Sequence, residues 1–125
     1  MKWKEWLECL LNVKFKDKDI LIGQALKAEA VCEYGDSFIS YKIEVKGDVE
    51  LYHCKARVPI EMRAFQQTGS PIIFLLHVVD GLINELEIVS ADLSKIEEDK
   101  ISLENVEYVI APEVAVQKEQ VENED

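Results

Sequence analysis

The feature that most constrains the fold of this chain is an apolar stretch followed by a tight turn. Residues 72–79 are apolar at every position except His77, a pattern typical of a central β-strand covered on both faces. Asp80-Gly81 follows directly, and this dipeptide between two hydrophobic runs is a strong signal for a two-residue hairpin turn. Because residues 82–90 supply the second run, the sequence predicts a central antiparallel hairpin.

A two-residue turn also predicts which side chains of the hairpin share a face. With regular pairing His77 lies opposite Asn84, and directly opposed residues project to the same side of the sheet. The predicted core face, on which Asn84 or a backbone group satisfies the His77 imidazole, carries Ile73, Leu75, His77, Val79, Leu82, Asn84, Leu86 and Ile88. The second face combines an apolar stripe with two carboxylates and carries Ile72, Phe74, Leu76, Val78, Ile83, Glu85, Glu87 and Val89.

The N-terminal part of the chain predicts helices. An apolar stripe at the i, i+3, i+4 spacing, which includes Trp3 and Trp6, predicts an amphipathic helix with one buried side. Residues 17–26 predict a second, shorter helix, for which Asp19 is the candidate N-cap. We expect these helices to cover part of the sheet.

Alternation of apolar and polar residues predicts the remaining strands, at 26–34, 39–45 and 54–64, and residues 106–110 are a candidate for a last strand. Pro59 within the third of these marks an edge, a bulge or a bend, because proline has no N–H to donate to a sheet. Helices followed by hairpin-connected strands predict an α+β fold with an antiparallel sheet of about five strands. We expect residues 1–111 to form a single domain and residues 112–125 to form a charged, flexible tail.

Charge narrows the classes of partner. The formal net charge is −11 and the isoelectric point is about 4.6, so nucleic acid and anionic membrane surfaces are not expected as ligands. Long-range attraction favours a basic protein partner instead.

No apolar run approaches the length of about 20 residues that a membrane-spanning helix needs, and the first residues lack the pattern of a secretory signal. The chain is therefore expected in the cytoplasm.

Residues with catalytic or ligating chemistry are few. Cys9, Cys32 and Cys54 form no CxxC pair, so a disulfide framework or zinc site is not predicted and reduced core cysteines are expected. Glu85 and Glu87 are spaced as a carboxylate pair, but a glycosidase site needs a larger cleft, and a cation site needs more oxygen ligands. The sequence predicts no cofactor and no metal, and it favours a non-enzymatic protein.

Three segments resemble an uncharacterised family of small bacterial cytosolic proteins. They are residues 56–61 (ARVPIE), 74–81 (FLLHVVDG) and 84–88 (NELEI). Residues 91–96 (ADLSKI) depart from the DGSPI-like turn of that family because they lack its glycine and proline. The resemblance covers about residues 5–97 and implies no assigned activity. By analogy with other small acidic bacterial proteins, it suggests an antitoxin or immunity protein.

The second face of the hairpin is the predicted binding surface. Phe74 and Leu76 are expected at its centre, because an apolar centre with a charged rim is the usual anatomy of an interface. The expected rim consists of Glu85 and Glu87 on one side and Arg57 and Arg63 on the other. The cover is either internal, from the second helix or the C-terminal region, or external, from another protein.

Three functions follow as hypotheses. The leading one is a non-enzymatic protein-binding module, such as an immunity or inhibitor protein for a basic partner. The first alternative is a homo-oligomeric structural or accessory protein, such as a homodimer that pairs this face by two-fold symmetry. The second alternative is a small ligand-binding protein or enzyme that uses Glu85, Glu87 or His77.

Overall fold

The computed structural model describes residues 2–66 and 70–116. This part of the chain forms two α-helices packed on an open antiparallel sheet of six strands, which confirms the α+β class but adds a strand to the expected number. The helices are α1 (Lys2–Leu10) and α2 (Lys18–Leu26). The strands are β1 (Ala28–Tyr34), β2 (Phe38–Val45), β3 (Ile60–Gln66), β4 (Pro71–Val79), β5 (Leu82–Ser90) and β6 (Ile101–Ile110).

The β4–β5 hairpin occupies the centre of the sheet, as the sequence predicts. The strand order is β1-β2-β5-β4-β3-β6, and all neighbouring strands run antiparallel. Three of the neighbouring pairs follow each other along the chain. The pairings of β2 with β5 and of β3 with β6 join strands that are distant in sequence, so only the tertiary structure establishes them.

Both helices lie on the same side of the sheet. The predicted stripe of α1 is confirmed, since its buried residues include Trp3 and Trp6. The Trp6 ring meets Phe74 of β4 edge-on with 5.6 Å between ring centroids, and Trp3 stacks on Tyr41 of β2 at 5.9 Å. Aromatic pairs at these separations add to the stabilisation from area burial. The first helix is therefore anchored over the middle of the sheet.

The second helix begins earlier than its predicted N-cap. Asp17, with φ of 54°, is the N-cap residue, and Asp19 lies in the first helical turn. On its buried side, the fully buried Gln24 side chain donates to the carbonyls of Glu50 and Gly81. Its amide oxygen accepts from the backbone N–H of Ile83 at 2.9 Å. The bonds to Gly81 and Ile83 tie α2 to the β4–β5 hairpin, and the bond to Glu50 ties it to the segment between β2 and β3.

The turn between β4 and β5 is the predicted one, but the pairing beyond it is not. Asp80 and Gly81 both have positive φ, as a type I′ turn requires. The register then shifts between His77 and Val78, so that His77 pairs with Glu85 and Asn84 has no partner on β4. A β-bulge of this kind changes which residues face which side after the extra residue.

Because of the bulge, the residues of β4 lie on the faces opposite to those predicted. Phe74 and Leu76, expected on the binding surface, are fully buried beneath the helices together with Leu86 and Ile88. Leu75, expected in the core, lies on the opposite side of the sheet. The face assignment from regular pairing was therefore wrong for every residue of β4 and for Leu82 and Ile83 before the bulge, whereas it was correct for the residues of β5 after the bulge.

The predicted third strand begins only after Pro59. Residues 54–59 are irregular, and β3 starts at Ile60, which agrees with a bend at the proline. The Glu113 carboxylate accepts hydrogen bonds from the backbone N–H groups of Lys55 and Ala56 at 2.8 and 2.9 Å. These bonds hold the irregular segment against the C-terminal part of the chain.

Residues 112–116, which the sequence assigns to a flexible tail, are packed in part. Val114 is buried, and its carbonyl accepts from the backbone N–H of Lys16 at 2.8 Å. The remainder of the predicted tail, residues 117–125, lies outside the described residues.

Candidate interaction face

The side of the sheet opposite α1 and α2 is named here the outer face. Its residues alternate along each strand with the buried residues that contact the helices. In the four middle strands it includes Phe38, Ser40 and Lys42 of β2, Glu85, Glu87 and Val89 of β5, Ile73, Leu75 and His77 of β4, and Glu61, Arg63 and Phe65 of β3. In the part of the chain that the structure describes, neither α-helix covers this face.

A row of paired polar side chains crosses three strands of the outer face. Glu85 accepts a hydrogen bond from the Ser40 hydroxyl at 2.6 Å and lies 3.4 Å from the Lys42 ammonium group. On the next strand, Nε2 of His77 lies 2.8 Å from a Glu87 carboxylate oxygen. These contacts arise because antiparallel pairing places Lys42, Glu85 and His77 opposite one another. We name these five residues the polar row.

The environment of Glu85 favours its charged form. Burial by itself raises the pKa of this carboxyl, but the hydrogen bond from Ser40 and the charge of Lys42 outweigh burial, so the pKa is lowered from its ordinary value. Glu85 is therefore a fixed negative charge at neutral pH, held in one orientation by two neighbours. A carboxylate held in this way suits recognition of a cation better than proton transfer.

An apolar centre lies beside the polar row. Ile73 and Leu75 of β4 are half-buried on the outer face. On the far side of them, Arg63 of β3 donates to the Glu61 carboxylate at 2.9 Å. Apolar side chains between two charged rows reproduce the core-and-rim anatomy of a protein interface. The predicted anatomy is thus present, but Leu75 rather than Leu76 is at its centre.

The structure brings together three of the predicted rim residues. Glu85, Glu87 and Arg63 all lie on the outer face, with the two glutamates on one side of the apolar centre and the arginine on the other. Arg57 does not join them, because it is exposed in the irregular segment before β3 and contributes its carbonyl to the N–H of Val78. Three of the four predicted rim residues therefore lie on strands of the outer face, and Arg57 lies in the irregular segment before β3.

His77 has a different partner from the predicted one. Its Nε2 contacts Glu87 rather than Asn84 or a backbone group, and its Nδ1 is buried with no hydrogen-bond partner among the described residues. Asn84 is the bulge residue and is exposed. Within residues 2–66 and 70–116 there is no group of three or more His, Cys, Asp or Glu residues placed to hold a metal ion.

The three cysteines differ in their exposure. Cys9 and Cys54 are half-buried, and burial raises the pKa of both thiols. Cys32 is exposed on β1 and is therefore not the core residue that the sequence predicts.

None of the described helices combines the length and apolar character needed to cross a membrane.

Sequence reasoning missed Ser40 and Lys42. They belong to a strand whose alternation was clear, but nothing in the sequence indicates that β2 pairs with β5. A search for polar residues on the predicted solvent side of β2 would have found both.

Comparison with known proteins finds no matching family model, no similar curated protein and no similar solved structure. The resemblance to small bacterial cytosolic proteins stays a prediction.

Proposed function

We propose that this protein is a non-enzymatic protein-binding module that takes a basic partner on its outer face, in the manner of an inhibitor or immunity protein. The observation that carries the proposal is an uncovered sheet face with an apolar centre and an excess of carboxylates. A contiguous apolar patch rimmed by charges is a common mark of a protein-binding site.

The charges of the outer face favour a cation. Across all six strands, the register places the following glutamates on this side: Glu29, Glu33, Glu44, Glu61, Glu85, Glu87 and Glu107. Three cations, Lys42, Lys46 and Arg63, form ion pairs with some of them and leave an excess of negative charge. Such a surface steers a basic partner toward the sheet.

The part of the chain that forms the helices has the opposite balance of charge, with more lysines than carboxylates. Residues 1–27, which include both helices, contain six lysines and four carboxylates, although the whole chain has a net charge of −11. The negative charge is therefore concentrated in the sheet and in the segments after it. This asymmetry supports the outer face, rather than the helices, as the side that meets a basic protein.

The same excess of carboxylates disfavours the homo-oligomer alternative in its simplest form. Two-fold pairing of the outer face brings two negative surfaces together, and juxtaposed like charges weaken association. The enzyme alternative lacks a supporting observation, since Glu85 and Glu87 each have a partner within the polar row.

The test is to capture basic proteins from a bacterial lysate at low salt, purify the one that binds and measure its association rate. The double variant Glu85→Gln/Glu87→Gln is compared with Glu5→Gln/Glu8→Gln, which removes the same charge from α1. We expect the outer-face variant to slow association and to weaken its dependence on salt, and the α1 variant to behave like the wild type.

Two results would contradict the proposal. One is an equal effect of the two double variants, which would mean that net charge rather than the outer face governs capture. The other is a dimer of the purified protein in sedimentation equilibrium that Leu75→Lys dissociates, which would support self-association through this face.

A further inference from the structure

The two edges of the sheet differ in how well they are protected against pairing with a strand of another chain. At the β6 edge, pairing with β3 is interrupted by a register shift, and Pro112 follows shortly after the strand. At the other edge, all residues of Ala28–Tyr34 pair with β2 without a shift, and no described strand pairs on the far side of β1. Bulges and prolines are common protections of sheet edges against further pairing. The β1 edge has neither.

The hydrogen bonds of the first hairpin show which backbone groups point outward. The N–H of Lys46 donates to the carbonyl of Lys27 at 2.8 Å, and the N–H of Gly35 donates to that of Phe38 at 3.0 Å. In an antiparallel pair, bonded positions alternate along each strand. Residues 29, 31 and 33 therefore bond to β2, and the N–H and C=O groups of residues 28, 30, 32 and 34 face the open edge.

The side chains at this edge combine apolar exposure with two carboxylates. Val31 is 69% exposed and Tyr34 is 76% exposed, both high values for strand residues of this size. Glu29 and Glu33 are placed two positions before and after Val31, so all three side chains share the outer face. An added strand would meet a carboxylate, an apolar side chain and a second carboxylate in succession.

We propose that the β1 edge accepts an extended segment of the basic partner by β-strand addition. The segment has Lys or Arg opposite Glu29 and Glu33 and an apolar residue opposite Val31, and its backbone bonds to Ala30 and Cys32. The inference rests on the proposed function, because it takes the partner to be basic, and it adds the form in which that partner binds.

A second copy of this chain fits the edge less well. When two β1 strands pair antiparallel about Val31, Glu29 of each copy lies opposite Glu33 of the other. Like charges directly opposite each other destabilise a strand pair. A cationic segment turns the same two positions into ion pairs.

The experiment uses a synthetic peptide, Thr-Lys-Thr-Val-Thr-Lys-Thr, and a matched peptide with glutamate in place of both lysines. Amide hydrogen exchange and chemical shifts are recorded by NMR for the full chain with each peptide. We expect the basic peptide to slow exchange at Ala30 and Cys32, whose N–H groups become bonded, and the acidic peptide to leave both unchanged.

A matched pair of variants tests the backbone contact directly. Cys32→Pro removes one outward N–H without removing a bond to β2, whereas Cys32→Ala changes the side chain and keeps the N–H. We expect the proline variant to weaken binding of the basic peptide by about tenfold, the loss that one hydrogen bond to the edge accounts for. The alanine variant should bind like the wild type.

Three results overturn the inference. They are no protection of the β1 amides by the basic peptide, equal binding to the proline and alanine variants, and concentration-dependent protection of the same amides without peptide, which would identify a second copy as the occupant. The wild-type exchange data decide the question even if Cys32→Pro fails to fold. If the peptide fails while capture of a basic protein still depends on Glu85 and Glu87, only the inference is lost.

Discussion

The two faces of the β4–β5 hairpin differ in almost every physical property, although their residues alternate along the same strands. Leu76 is fully buried beneath the helices, whereas its neighbour Leu75 is half-buried on the outer face. The inner face has aromatic and aliphatic contacts, and the outer face has ion pairs and hydrogen bonds. Composition alone does not separate the faces, because β4 is apolar on both.

The separation depends on one unpaired residue. With regular pairing, Leu76 would share a face with Glu85, and Phe74 would share it with Glu87. Burying those carboxylates beneath the helices would carry a large desolvation cost. The bulge at Asn84 places Leu86 opposite Leu76 and moves both glutamates to the outer face. A single inserted residue thus assigns the apolar side chains of β5 to the core and its carboxylates to the surface.

Single-residue deletions in β5 test whether the bulge separates the two faces, and the deletion of Leu86 has the largest expected effect. Deletion of Leu86 removes a buried side chain and places Glu85 opposite Leu76, so we expect a loss of more than about 5 kcal/mol and an unfolded protein. Circular dichroism and denaturant titration measure this directly.

Deletion of Asn84 is the control of equal length. It makes the hairpin regular while Glu85 still faces His77 and Leu86 still faces Leu76, so we expect a change within about 1 kcal/mol. If deletion of Asn84 unfolds the protein as completely as deletion of Leu86, the bulge has a role other than placing the two faces.

Two adjacent alanine substitutions give the next largest effect. Leu76→Ala should lower the free energy of unfolding by about 2–5 kcal/mol, as expected for a large-to-small change in a packed core. Leu75→Ala should lower it by less than about 1.5 kcal/mol, because this side chain is only half-buried. Equal losses in urea denaturation would mean that the outer face is covered in solution.

The smallest expected effect concerns the polar row. Because the pKa of Glu85 is lowered in the folded protein, its contribution to stability is present above the ordinary glutamate pKa of about 4.3 and is lost as pH falls through the lowered value. Ser40→Ala removes a hydrogen bond that lowers this pKa. As pH falls from above about 4.3 through the lowered pKa of Glu85, the free energy of unfolding of Ser40→Ala should therefore decrease less than that of the wild type.

The control is the same substitution in a Glu85→Gln background, where no carboxylate titrates at this position. There, Ser40→Ala should leave the pH dependence of unfolding unchanged. An equal change of slope in both backgrounds would assign the effect to another titrating group.

Local chemistry made some parts of the fold predictable. The Asp80-Gly81 turn was correct because positive φ at both positions is a local property that few residue pairs adopt easily. The first helix was correct because Trp3 and Trp6 belong to a stripe with the helical period. The faces of the hairpin were only half predictable: Glu85 and Glu87 were placed on the correct side of the sheet, but Phe74 and Leu76 were placed on the wrong one.

By itself, the sequence determined the helices, the central hairpin, the α+β class and the strongly acidic character of the chain, since these depend on neighbours along the chain and on composition. The tertiary structure decided the pairing of β2 with β5, the bulge at Asn84 and the side of the sheet that the helices cover. The physical reason is that β4 is apolar on both faces and offers either one to the helices. Either choice leaves Glu85 and Glu87 outside the core, but regular pairing with Leu75 beneath the helices would also bury His77 and Asn84. The bulge places Val78 and Ile83 in the core instead.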